Sequence, residues 1–298
     1  MPPQAPENRL AGPGLALASM LCIQLGTALA VPVMERHGSF GVTALRLVCA
    51  ALVMLPLARP DFTAFTRRQW LAALGLGASM ALMTLSYFEA VTRIPIGPAI
   101  TIDFLGPLGV AVAALRGWAR LGLPLLAGLG VLAICFGSGG WLFDPVGVLF
   151  ALAAAGGWAG YIVLTRRVGR LFAEQAGLAL SFVAAAVVAL PLAFAVAPSE
   201  ISLALLPAAA GLAVLTPLVP FSLEMMALRR MNIGAFSILM SLEPACGGIF
   251  GYLILGQLLD AQQIIGILAV MIASVGAIYI TSQSTPDDAV AEVLPGAA

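Results

Sequence analysis

Ten apolar runs, each about as long as a bilayer is thick, follow one another along this chain with short connections between them. They fall at 14–34, 42–58, 71–91, 97–115, 121–139, 146–165, 177–197, 203–227, 234–255 and 262–281. A helix needs roughly 17–25 apolar residues to cross the hydrocarbon core, so each run predicts one transmembrane helix. Of 298 residues, 61% are hydrophobic and 9% charged; a soluble domain carries roughly 45–50% and about 25%. The mean hydropathy of +1.05 agrees. The predicted class is therefore an all-α membrane protein whose solvent is the lipid bilayer. The connections leave no room for an extramembrane catalytic domain. The first run lacks a strongly basic segment before it and is long enough to span, so it reads as a helix rather than a cleaved signal.

Charge placement orients the chain. All fourteen basic residues are Arg. With the N-terminus in the cytoplasm, eleven lie on the cytoplasmic side: Arg9, Arg59, Arg67, Arg68, Arg116, Arg120, Arg166, Arg167, Arg170, Arg229 and Arg230. Arg36, Arg93 and Arg46 fall toward the outer face. This is the asymmetry of the positive-inside rule. Ten helices return the C-terminus to the cytoplasm as a polar, acidic tail over 283–298.

The two halves resemble each other in order. Ala90 and Ala227, Gly97 and Gly234, and Pro107 and Pro244 are each 137 residues apart. Pro56 pairs with Pro191 and Gly26 with Gly160 at nearly the same offset. The expected organisation is one repeat over 1–140 (helices 1–5) and a second over 141–282 (helices 6–10). Five is odd, so the second repeat enters the membrane from the opposite face. Such inverted repeats surround a central cavity in many secondary transporters. Pro107 and Pro244 each remove a backbone bond and are expected to kink or open their helices.

Polar residues inside the runs are the candidate site. A carboxylate within the bilayer must face a bundle interior or a wet cavity. Asp103, Glu224 and Glu243 qualify, and Glu89 lies near an outer end, where it can snorkel. Glu243 directly precedes Pro244. Gln24 is a mid-membrane amide; its repeat counterpart is Trp158, with Tyr161 three residues on. Tyr87 is the counterpart of Glu224. Together Gln24, Tyr87, Asp103, Trp158, Tyr161, Glu224 and Glu243 suit a small zwitterion, the carboxylates binding an ammonium group or carrying a proton. Arg46 can snorkel, pair with Glu35 or face the cavity. His37 is read as a solvated loop residue.

Other chemistries find no support. No phosphate-binding Gly-rich loop, HExxH or GxSxG occurs. One His and four scattered Cys (Cys22, Cys49, Cys135, Cys246) build no metal site. The chain calls for no cofactor, enzymatic activity, nucleic acid or obligate protein partner.

Four stretches carry a family resemblance: Gly41-Val42-Thr43-Ala44-Leu45-Arg46-Leu47, Asp103-Phe104-Leu105-Gly106-Pro107, Pro220-Phe221-Ser222-Leu223-Glu224-Met225 and Ser241-Leu242-Glu243-Pro244-Ala245. With the Gly/Pro-marked fourth helices, they make the chain resemble the EamA family of the drug/metabolite transporter superfamily over roughly 14–281. Within it the chain looks similar to homoserine/threonine exporters of the RhtA type, and more distantly to YddG-type exporters of aromatic amino acids. The resemblance implies ten helices around a cavity, both termini cytoplasmic, in a bacterial inner membrane. It also implies export of amino acids: threonine- or homoserine-like, or a broader set reaching methionine and aromatic residues. Another metabolite or a drug is the alternative cargo, and a membrane-embedded non-transport protein the alternative class. Two positions depart from the pattern: Asp103 stands where Glu is expected, and Gln257 where an acidic residue is common.

Overall fold

The computed structural model of the protein describes residues 11–283 apart from 62, 64, 114, 116–118, 138–139, 142–143, 173–175, 201, 229 and 232. The predicted tail therefore lies outside the described residues beyond Gln283, as do Arg9, Arg116 and Arg229. The first five predicted helices become α1 (Ala11–His37), α2 (Ser39–Ala58), α3 (Arg67–Val91), the pair α4 (Ile96–Asp103) and α5 (Leu105–Ala113), and α6 (Ala119–Cys135). The second five become α7 (Pro145–Leu171), α8 (Ala176–Val196), the pair α9 (Leu206–Ala213) and α10 (Val219–Leu228), the pair α11 (Ile233–Met240) and α12 (Glu243–Leu255), and α13 (Ala261–Gln283). Among the described residues, nine helical stretches are long and apolar enough to cross a bilayer; α6, with 17 residues, is a shorter apolar one.

Local sequence sets the ends. Thr66 and Gln69 form a reciprocal capping box at the start of α3. Asp144 caps α7, accepting from the Val146 amide at 3.0 Å, with Pro145 at the first turn. The helix predicted to run to 139 ends four residues earlier, at Cys135. There Phe136–Gly137 (β1) pairs antiparallel with Gly140–Trp141 (β2), strands too short for a hydropathy window to register. His37 is exposed, as expected, but it closes α1 rather than lying in a loop.

Three predicted helices are interrupted. A proline has no N–H for the carbonyl four residues back, so Pro107 and Pro244 leave the carbonyls of Asp103 and Met240 without that bond. The interruptions follow at Phe104 and at Ser241–Leu242. The segments before them, Ile96–Asp103 and Ile233–Met240, are both eight residues long and 137 apart. The third break is not among the expected kinks. Thr216, before Pro217, adopts extended backbone (φ −149°, ψ 102°) between α9 and α10, as residues preceding proline prefer.

Packing runs between the halves. The principal neighbours are α3 with α7 and α8, α1 with α10, α2 with α8, α6 with α13, and α4 with α12. Gln69 donates to the Leu171 carbonyl at 2.8 Å at one end of the α3–α7 pair, and Arg93 meets Asp144 at 3.1 Å at the other. The helices are thus antiparallel with matched ends. One end of the bundle carries Arg59, Arg67, Arg68, Arg120, Arg166, Arg167, Arg170 and Arg230; the opposite end carries Arg36 and Arg93.

Small residues allow these approaches, because helices in lipid associate by close contact rather than by hiding apolar surface from water. A Cβ on Gly130 would fall 2.7 Å from the Gly266 carbonyl oxygen, and one on Gly266 would fall 2.5 Å from that of Gly130. Gly128, two residues away, has nothing within 4 Å. Gly130→Leu should therefore destabilise the fold by about 1–3 kcal/mol through forced separation of α6 and α13, whereas Gly128→Leu should leave it unchanged. Thermal unfolding of the purified protein in detergent, with both variants beside the wild type, measures this directly.

Candidate functional site

The interrupted helices meet α1, α2, α3, α7 and α8 around a cavity of about 220 Å³ near the middle of the bundle. Six of the seven predicted site residues line it: Tyr87, Asp103, Trp158, Tyr161, Glu224 and Glu243. Gln24 does not. It is fully buried behind the wall and donates from Nε2 to Glu243 Oε1 at 3.3 Å. The amide expected to touch a ligand instead holds a carboxyl group that faces the cavity.

Each carboxyl group is placed by a different device. Asp103 ends α4 at the Pro107 break and is 4% exposed, its Oδ1 without a hydrogen-bond partner. Glu243 opens α12 at the Pro244 break and is 3% exposed. Glu224 sits within α10, beyond the Thr216 interruption, and accepts from the Ser19 hydroxyl at 2.9 Å. Trp158 stands edge-on to Phe104, ring centroids 5.4 Å apart, at the α4–α5 junction. Tyr87 packs edge-on to Phe88 at 5.4 Å. The helix breaks thus present polar side chains and shortened helix ends at mid-membrane, where an unbroken helix would present only side chains.

Arg46 is the residue for which the sequence leaves three directions open. It neither snorkels nor pairs with the exposed Glu35; it is 2% exposed and faces the cavity. Its Nη1 donates to Thr216 Oγ1 at 2.8 Å, and its guanidinium lies 4.0 Å from the Phe88 ring centroid. Thr216 and Phe88 also line the cavity, although neither is among the residues expected there. The one signal for them in the sequence is the Thr216-Pro217 step, a proline inside an apolar run.

Toward the end bearing Arg36 and Arg93 the bundle is filled by an apolar cluster that includes Val31, Met34, Val42, Ile94, Val148 and Leu205. Beside it Glu89 accepts from Arg93 Nε at 2.6 Å and from the Ser39 hydroxyl, and Arg93 continues to Asp144 at 3.1 Å. Glu89 therefore ties α2, α3 and α7 together and takes no part in the cavity lining. The Asp144 carboxyl is held below the ordinary carboxylate range, first by the Val146 amide and then by Arg93.

Known proteins share this architecture. The EamA-like transporter family model matches residues 145–279. The threonine/homoserine exporter RhtA of Salmonella typhimurium (strain SL1344) is 33% identical over 264 residues, covering 87% of this chain and 88% of that protein. RhtA of Escherichia coli K12 is 32% identical over 266 residues, covering 88% and 89%. A crystal structure at 19% identity superposes with a TM-score of 0.58 over 91% of this chain and 98% of its own, which shows a common fold. By its sequence and by these full-length relatives, the chain belongs to the EamA-like transporter family.

Proposed function

We propose that this protein exports small amino acids of the threonine/homoserine kind across a bacterial inner membrane by alternating access, with both termini cytoplasmic. The observation that carries the reading is the mid-membrane cavity bounded by Asp103, Glu224, Glu243 and Arg46 at the junction of three broken helices. The named activity of the RhtA relatives supports the cargo. A cavity of about 220 Å³ is smaller than the roughly 300–1,000 Å³ of drug-sized sites, so small metabolites are favoured over drugs. Methionine and aromatic amino acids mark the upper limit of the proposed range.

The alternating mechanism rests on two inverted halves, 1–140 and 141–282. Two features support them beyond the matched eight-residue segments. Exchanging each helix for its counterpart in the other half converts the α3–α7 contact into α1–α10, and returns α2–α8 and α6–α13 to themselves. Gly26 approaches Thr216 as Gly160 approaches Ser79, with a Cβ falling at 2.7 and 2.6 Å respectively. A two-fold axis in the membrane plane produces such pairs. The concentration of Arg at one end supports the orientation, and that end is taken as cytoplasmic. Rocking the halves then opens the cavity to each side in turn. The carboxyl groups bind the substrate ammonium and couple its passage to protons.

Two experiments test this. In proteoliposomes containing folded protein, labelled threonine should show saturable flux, and Glu243→Gln should lower it about tenfold or more, the loss of a buried charge-assisted contact. Wild-type flux in that variant removes Glu243 from the site, and equal flux with and without a pH gradient removes the proton. The second concerns the outer seal. In a background lacking the four native cysteines, Met34→Cys should react several-fold faster with a membrane-impermeant thiol reagent once Arg93→Gln breaks the tie to Glu89 and Asp144. Unchanged labelling means that this ion-pair chain does not hold the seal.

A further inference from the structure

We infer that Arg46 binds the α-carboxylate of the transported amino acid, and so restricts the cavity to substrates that carry one. The assignment rests on the amino-acid export proposed above and names a partner for Arg46, which among the described residues is the buried arginine lining the cavity. Arg46 is the eighth residue of α2, two turns inside the membrane, and 2% exposed. A desolvated guanidinium is costly unless an anion meets it. The ion pairs among the described residues all belong to Arg93, with Glu89 and Asp144. Arg46 instead has a neutral hydroxyl, Thr216, and the face of Phe88, and its Nε has no hydrogen-bond partner.

Geometry completes the case. Arg46 Cζ lies 4.0 Å over the Phe88 ring centroid, Nη1 is engaged by Thr216, and Nε has no partner, so the guanidinium keeps N–H capacity for a ligand. A guanidinium pairs with a carboxylate through two parallel N–H bonds in its own plane, a match that Lys does not reproduce. Asp103, Glu224 and Glu243 border the same cavity. One small chamber therefore offers a cation and several carboxyl groups, the complement of a zwitterion whose opposite charges sit on one carbon. A neutral sugar and an organic cation each lack the anion that would compensate the Arg46 charge. A purely structural role, fixing the helix break through Thr216, is the competing account, and the test separates the two.

The experiment compares threonine with threoninamide, which keeps the ammonium group and side chain but replaces the carboxylate with a neutral amide. In proteoliposomes of the wild type, held at zero membrane potential, threoninamide should inhibit labelled threonine flux about ten- to a hundredfold more weakly than unlabelled threonine. Arg46→Gln should lower threonine flux and erase that preference; Arg46→Lys should keep part of both. Equal inhibition by the two compounds in the wild type overturns the assignment. So does an Arg46→Gln protein that transports less yet still prefers threonine, the pattern of a structural role. Should Arg46→Gln fail to fold, the wild-type competition and Arg46→Lys decide the matter. Absence of wild-type flux for any amino acid would instead bring down the exporter reading itself.

Discussion

In lipid every backbone N–H and carbonyl must find its partner inside the protein, and this constraint organises the molecule. Three prolines break it in the middle of the membrane. Pro107, Pro217 and Pro244 each deprive the carbonyl four residues earlier of its helical bond. Such a defect persists only where neighbouring helices or a polar cavity surround it. Here all three border or adjoin one cavity, with Pro217 itself in the wall. Buried polar atoms of Thr27, Arg46, Tyr87 and Asp103 that lack a hydrogen-bond partner also line it. Asp103 and Glu243 lie at two of the breaks, and Arg46 bonds the residue at the third.

Close packing around the cavity makes this arrangement rigid enough to be specific. Gly26 lets α1 approach Thr216 at its break, and Gly106 lets α5 approach the backbone of α7 at Ala155. A side chain at either point would push apart the walls that hold Arg46 and Asp103. The polar supports lie one layer out: Gln24 behind Glu243, and Ser19 behind Glu224. Both supports come from α1, so one helix positions two carboxyl groups carried by α10 and α12. Movement of α1 against those helices would change both together, which suits the alternating access proposed above.

Much of this architecture is legible in the residues alone. Run length reveals the helices, because a bilayer imposes a fixed thickness. Prolines within two of the apolar runs point to breaks, and acidic residues beside them to a cavity, because lipid tolerates neither without cause. Azimuth is not legible. In water, one apolar face marks the inside of a helix; in lipid both faces are apolar, so hydropathy gives the depth of Gln24 but not that it sits behind Glu243 rather than in the cavity lining. Arg46 is hidden for a related reason. An arginine two turns from a helix end can reach the interface, and only the position of Phe88 and Thr216 shows that it turns inward. The break at Thr216 lies inside a continuous apolar run, where hydropathy is blind to a change of backbone.

The residue at position 103 links these points to selectivity. The family resemblance leads one to expect Glu there, and Asp is shorter by one methylene. Asp103 Oδ1 has no hydrogen-bond partner, and Trp158 packs edge-on to Phe104 beside it. On a helix end in the same place, a carboxylate shorter by one methylene would stand deeper in the wall and leave more room in front of it. A substrate anchored at one end must then extend farther to reach the other anchor, or carry a larger side chain in the space released. Under the export proposed above, the length of this one carboxylate at a helix break would bear on which small amino acid fits best.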